Sequence, residues 1–550
     1  MKLTSSTIIS VLILSISFFL YFSFSSCKKI EDPKSDRDSK DTITYDLLKT
    51  RIFIQFRDAS TNELIIPDET NELSVKIIGK SKDAVVDIVG LKSDSFIAKQ
   101  GFLSLGLVSS SEFIPSPESP ISFTIVSELT KYLTSRKEIN ITSEGDYMLK
   151  VFMIDVDNPP DGVVIDHAYN VGVLINGVLQ EDITVSTSRN EAKIVIPAGI
   201  KLIRDDSINL AGKLNVTLAY FNSRYDGSLA AAPGGIIGTV LNHNSTNTGV
   251  FFPASLIAFN ITDSDNHPVS RFENTGLEIT TTISKHSYNP VSASPIVAGD
   301  SVPLYTYLAD TGLWKFDSWA YITDTLFNGL YSVVRTQGLD CVSYSWFESN
   351  NCNGSSKFKL SGACSQCGSV TIDGTVRKQA DNSFVSSITV IGNGDMYSGI
   401  PFSTGNTPVY IDWDQGNECN SCSVNQGSSH VLIDNMCSQS QIEIPLQDNS
   451  PTTISITATF QGTCATDKNV LILPSYGVWI RPIDANCWRW VSMKNGVAQI
   501  CDIVYGNTYM LGTYYDESWQ EWEITVNEEQ SYDFTIEFSS SICSDVFGIL

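Results

Sequence analysis

The sequence predicts an all-β protein of tandem, immunoglobulin-like β-sandwich modules behind an apolar N-terminal segment and a flexible tether. Two observations predict the fold. Apolar and polar residues alternate with a two-residue period in nearly every segment after about residue 45, bounded by Gly, Pro, Asn and Asp. No stretch carries the spacing of a long amphipathic helix. A third observation sets the scale: 550 residues, 42% hydrophobic and 18% charged, describe a globular chain of several domains.

At the N-terminus, Lys2 precedes an apolar run from Ile8 to Phe24, followed by Ser25-Ser26-Cys27. A positive start, an apolar stretch and small residues before a cut describe a secretory signal over 1–26, with an uncleaved anchor as the alternative. Phe24-Ser25-Ser26-Cys27 resembles the lipobox of bacterial lipoproteins, with Phe where Leu is usual. The resemblance implies that Cys27 becomes a lipidated first residue, so that the lipid bilayer is a partner. Each buried acyl methylene then contributes about 0.8 kcal/mol. The charged, Ser- and Pro-containing stretch that follows reads as a tether over 27–45. Cys27-Lys28-Lys29 followed by Glu31 and Asp32 resembles Bacteroidetes lipoproteins. That implies lipid anchoring in the outer membrane, facing the cell exterior, with the periplasmic face as the alternative.

A first β-sandwich is expected over 46–160. Ile52, Ile54 and Phe56 share one strand face, as do Ile121, Phe123 and Ile125, and then Tyr147, Leu149, Val151 and Met153. Asp157-Asn158-Pro159-Pro160 cannot continue a ladder and marks a boundary. A second β-rich module is expected over 161–340, with strands at Lys193–Ile196, at Leu214, Val216, Leu218 and Tyr220, and at Leu277, Ile279 and Ile283. Its last strand carries Trp314, Phe316 and Trp319, which read as core. Beyond 340 lie eleven of the twelve cysteines and seven of the nine tryptophans. This region is divided into a Cys-rich sandwich over 341–450 and a C-terminal sandwich over 451–550. The division rests on Asn449-Ser450-Pro451, after which Ile454, Ile456, Ala458 and Phe460 start a fresh strand.

The end of the first module, from Val126-Ser127-Glu128 through Tyr147 to Asp157-Asn158-Pro159-Pro160, resembles the carboxypeptidase-regulatory or Ig-like first module of a recurring Bacteroidetes lipoprotein type. In the second module, Ile196-Pro197-Ala198-Gly199, Pro233-Gly234-Gly235 and Asp310-Thr311-Gly312 with Trp314 extend that resemblance. The same pattern is similar to a region of cartilage intermediate layer protein. The resemblance covers about half of the chain and implies an extracellular β-rich scaffold without assigned chemistry.

The late cysteines are Cys341, Cys352, Cys364, Cys367, Cys419, Cys422, Cys437, Cys464, Cys487, Cys501 and Cys543. Cys364-Ser365-Gln366-Cys367 and Cys419-Asn420-Ser421-Cys422 are CxxC motifs, for which zinc and redox chemistry are the alternatives to disulfides. Export into an oxidising compartment and the absence of a helical pattern behind either motif favour disulfides. The expected bridges are Cys341–Cys352, Cys487–Cys501 and Cys464–Cys543, with two more among the rest and one thiol left over. Each contributes ~2–4 kcal/mol.

No other motif carries chemistry by itself. Asp310-Thr311-Gly312 matches an aspartic protease tripeptide, but that reaction needs a second copy and the chain has none, so a hairpin turn is expected. His167, His243, His267, His286 and His430 are scattered. Asp155, Asp157 and Asp161 form a weak calcium candidate whose plainer reading is a solvated turn. Neither a cofactor nor a catalytic residue is expected. The formal net charge of −25 argues against nucleic acid.

The remaining candidate is aromatic: Trp488, Trp490, Tyr514, Trp519 and Trp522, with carboxylates among them, form either a carbohydrate platform or a core. The reading is therefore a non-catalytic outer-membrane lipoprotein acting as an adhesion or ligand-binding scaffold, its partner a glycan or an extracellular protein. The alternatives are a carbohydrate-binding lipoprotein of a glycan-uptake system and a hydrolase without a recognisable motif.

Overall fold

In a computed structural model the alternating segments form strands, and the helices among the described residues are short. The structure describes residues 41–45, 48–68, 70–204, 210–242, 245–325, 329–338, 340–349, 354–362, 370–392, 398–414, 422–438, 441–448, 453–485, 487–515, 518–527 and 531–547. Residues 43–550 form one compact unit. Cys27 and the expected signal segment lie outside the described residues.

The first module is a sandwich around the strand Thr50–Asp58, which pairs antiparallel with Phe102–Leu107 and parallel with Gly145–Met153. The opposing sheet holds Ser95–Ala98, Leu73–Ile78, Ile121–Glu128 and Ser135–Ile141. Ile52, Ile54, Phe56, Phe123, Ile125 and Leu149 meet in the core between them, as the alternation predicts.

The other face of the central sheet is buried as well. Phe53, Phe102 and Met148 point away from that core and join the core of the C-terminal module. For this reason all six residues of Phe102–Leu107 are buried. A sheet covered on both faces loses the polar half of its alternation.

The sheet also runs on into the third module. Met148 bridges Thr389 of the strand Phe384–Ile391, which continues through Thr371–Lys378 and Val409–Trp413 to His430–Ile433. A second sheet, containing Lys357–Ser361 and Gln441–Asp448 in parallel, closes this sandwich.

In the second module the 19-residue strand Ser245–Asp263 pairs in turn with Ile237–Asn242, Cys341–Ser349 and Gly212–Phe221. Ser301–Leu308 and Leu313–Tyr321 complete a closed ring of five strands with the first two of these and the long strand. Cys341–Ser349 therefore belongs to this module, which reaches 349 and passes the expected boundary at 340. The cysteine-rich composition starts at 341, but the backbone pairing runs nine residues further.

Pro233-Gly234-Gly235 packs on Trp314 of the ring. Gly234 has φ +75°, and a Cβ there would stand 2.6 Å from the indole. A five-stranded sheet, including Ala192–Ile196 paired with Leu277–Ile283, covers the module's other core.

The C-terminal module centres on Thr453–Cys464, paired antiparallel with Val497–Val504 and parallel with Ser531–Phe538. Ile456, Ala458, Phe460, Phe534, Ile536 and Phe538 are buried, in line with the predicted strands. The chain then turns into Ser540–Asp545, whose start is capped by Ser539 accepting from the Ile542 amide.

Candidate functional site

The C-terminal aromatics do not form an exposed platform: Trp490 and Tyr514 are buried, Trp488, Trp519 and Trp522 are half-buried, and all but Trp522 meet the first module. Trp490 is fully buried, its ring 4.4 Å from Phe53. Phe102 lies 4.3 Å from Trp479, stacks on Trp519 at 5.2 Å and 12°, and meets Trp488 edge-on at 6.0 Å. Tyr514 is buried and donates its hydroxyl to Ile97 O at 3.2 Å. Trp522 packs on Phe460 and Phe534 of its own module.

Polar contacts complete the seam. Arg51 grips Asp146 with two 2.7 Å bonds and donates to Ser475 O and Tyr476 O across the junction. Arg489, between the two tryptophans, is buried and pairs with Asp502 at 3.3 Å. Burial lowers its guanidinium pKa. Of the two readings of these aromatics, core describes Trp490 and Tyr514, and Trp488 and Trp519 help cover the first module's second sheet face, which needs an apolar partner.

Of the cysteines, Cys464 and Cys543 form the expected bridge, with Cα atoms 5.9 Å apart. Cys437, Cys487 and Cys501 are also disulfide-bonded. Cys341 is a free, buried thiol, which corrects the expected pairing with Cys352. It opens an internal strand of the second module, its Sγ 3.9 Å from Pro233 O, and burial raises its pKa well above the ordinary range. Such a thiol is inert. Cys352, Cys364, Cys367 and Cys419 lie outside the described residues, and Cys422 is described only as backbone at the start of Cys422–Val424.

Asp155, Asp157 and Asp161 do not converge; Asp155 accepts from the Asp157 amide within a turn. The convergent set among the described residues is Asp263, Asp265 and His267. Asp263 accepts from the amides of Asp265 and His267 and stands 3.1 Å from His267 Nδ1. Burial pushes the Asp263 carboxyl up, but these donors outweigh it and leave its pKa low. The cluster closes a loop on itself.

Two features not expected from the sequence remain. One is a cleft of about 940 Å³ between the first and second modules. Glu138 lies in its wall, accepting from the Thr239 amide at 2.9 Å and the Thr239 hydroxyl at 2.5 Å. Burial pushes the Glu138 carboxyl up to about 7 against these two donors. Asp310-Thr311-Gly312 forms the lip and is the expected turn, the Thr311 and Gly312 amides both donating to Leu308 O. Gly312 has φ +73°, and a Cβ there would collide with Thr124 of the first module.

The other feature is an aromatic face on Leu313–Tyr321. A bulge at Asp317, between the pairs Tyr305–Phe316 and Leu304–Ser318, keeps Phe316, Trp319 and Tyr321 on the side of Trp314. Trp314 is buried in the ring, but exposure then rises to 38% at Phe316, 53% at Trp319 and 68% at Tyr321. The core expected from Trp314, Phe316 and Trp319 thus holds for Trp314 alone. Phe316 and Trp319 touch edge-on at 5.9 Å.

The fold defines the chain as an all-β protein of packed sandwich modules. No protein-family model matches it. No curated protein matches it either. Solved structures similar to it include the Bacillus anthracis TIE protein, at 10% identity over 93% of this chain and 76% of that one, TM-score 0.15. Shaft pilin SpaA from Lactobacillus rhamnosus GG is 10% identical over 33% of this chain and 95% of its own, TM-score 0.15. The full-length major pilin RrgB from Streptococcus pneumoniae is 9% identical over 89% and 99%, TM-score 0.13. Likenesses at these scores say nothing about function.

Proposed function

We propose that this chain is a non-catalytic surface protein, lipid-anchored in the outer membrane through Cys27, whose body carries an adhesion or ligand-binding face. The observation that carries this reading is the contiguous aromatic face of Phe316, Trp319 and Tyr321. Clustered exposed rings mark interaction sites on soluble surfaces more reliably than isolated ones. The oxidised cysteines suit an exported protein. A body fused by buried seams suits a rigid support.

The test has two arms. Protease shaving of intact cells should release the body, and Cys27→Ala should abolish acyl labelling. Adhesion of cells or beads carrying the protein should fall when Trp319→Ala and Tyr321→Ala are combined; unchanged adhesion would remove the aromatic face from the proposal. A second reading, glycan capture, is favoured by the pairing of a flat indole with an exposed phenol hydroxyl, which suits stacking on a sugar. A glycan array separates the two: glycan signal lost in the double variant selects capture.

A further inference from the structure

A second, smaller pocket of about 240 Å³ lies where the second module meets the third. Its charged lining consists of Arg224, Asp226, Arg377, Lys378 and Asp381, with His286 beside them. Arg377 is engaged by Asp226 and by Asp412 at 3.4 Å. Asp381 accepts from the amide and hydroxyl of Ser383.

Lys378 differs. It is 1% exposed, yet its ammonium has one neutral acceptor, Phe251 O at 2.7 Å, and rests 3.8 Å from the centroid of the Phe252 ring. Asp381 and Glu348 act on it from a distance, and among the described residues no carboxylate forms an ion pair with it. Arg224 donates to His286 O at 3.0 Å and has no ion-pair partner among the described residues either. With Arg377 held by Asp226 and Asp412, Lys378 and Arg224 are the cations of the lining without an ion pair among the described residues, in a chain whose net charge is −25.

A buried ammonium with unused donors is unfavourable unless an anion reaches it. Burial lowers the Lys378 pKa to about 8, the direction expected of a cation without one.

We propose that this pocket binds a small organic carboxylate, no larger than a single acidic sugar, with its charge held by Lys378 and Arg224 and its hydroxyls toward Tyr288 and Asn382. Two unpaired cations suit one carboxylate, and half-buried Tyr288 and exposed Asn382 in the lining offer a sugar's ring and hydroxyls contacts that phosphate cannot use. The site is separate from the aromatic face and does not depend on the membrane anchor.

The experiment is calorimetric titration of the whole protein with glucuronate, glucose and inorganic phosphate. Glucuronate should bind, glucose should give no heat, and phosphate should bind at least about tenfold more weakly. Lys378→Met should abolish glucuronate binding. Arg224→Gln, at an exposed position that leaves folding intact, should weaken it about threefold or more. Absence of glucuronate binding, equal binding of glucose or phosphate, or full affinity in Arg224→Gln would overturn the proposal, even if Lys378→Met failed to fold.

Discussion

Phe102→Ala tests the seam between the first and C-terminal modules. Phe102 is fully buried and its ring meets Trp479, Trp519 and Trp488 across the junction. Truncating a buried Phe costs about 3–5 kcal/mol. Each lost aromatic pair adds ~0.5–1.5 kcal/mol beyond area, which places this site near the upper end. If the two modules, roughly 200 residues, unfold together, 1 kcal/mol corresponds to about 2–4 °C. A loss of about 5 kcal/mol should then lower the midpoint by ~10–20 °C. Scanning calorimetry measures that shift, and tryptophan emission should move to the red as indoles that packed on Phe102 meet water. Tyr321→Ala, on the exposed face, is the control and should stay within about 0.5 kcal/mol. A fall of less than about 2 °C with unchanged emission would refute the buried seam.

Further outcomes follow from other contacts. Replacing Cys464 and Cys543 with Ser opens a loop with a sequence separation of 79 and should cost about 4 kcal/mol, read from urea denaturation. Non-reducing peptide mapping should show Cys341 alkylated only after unfolding, with a peptide linking Cys487 to Cys501. Glu138 has its folded pKa raised to about 7, so the native state binds the extra proton and stability falls as pH rises from about 4.5 to 7. Glu138→Gln should flatten that slope in thermal melts taken across this range, while an unchanged slope would discount the group. Gly312→Ala should destabilise by ~1–3 kcal/mol, because Ala is strained at φ +73° and its methyl meets Thr124; Thr124→Ala should recover part of the loss in the same melts.

The interfaces change what a tandem arrangement means here. One hydrophobic cluster joins the ring of the second module to the sandwich of the third, and another joins the first module to the C-terminal one. The second of these seams connects segments more than 300 residues apart, as the Arg51 contacts with Ser475 and Tyr476 show. A flexible string of beads would leave both surfaces wet.

Much of the fold was legible from local pattern. Ile52, Ile54 and Phe56, or Leu214, Val216, Leu218 and Tyr220, need no distant residue to declare a buried strand face. The unbroken burial of Phe102–Leu107 also had a local signal, a run of apolar and small residues without charge, which marks a strand covered on both sides. What covers it had none. The aromatic-rich C-terminal segment reads the same whether its rings meet a sugar or Phe102. Glu138 and Thr239 stand 101 residues apart, and nothing at either position announces the other.

The all-β class, the strand faces and the turn at Asp310-Thr311-Gly312 could be read from the chain alone. These follow from two-residue periodicity, backbone preference and composition, which act over a few residues. That Trp490 is core and Trp319 surface, that Cys341 is a lone buried thiol, and that Lys378 borders a pocket without a paired carboxylate emerge from the folded chain. The reason is physical. A side chain's exposure and charge balance are set by whichever distant surface packs against it, and that choice is made by the whole chain at once.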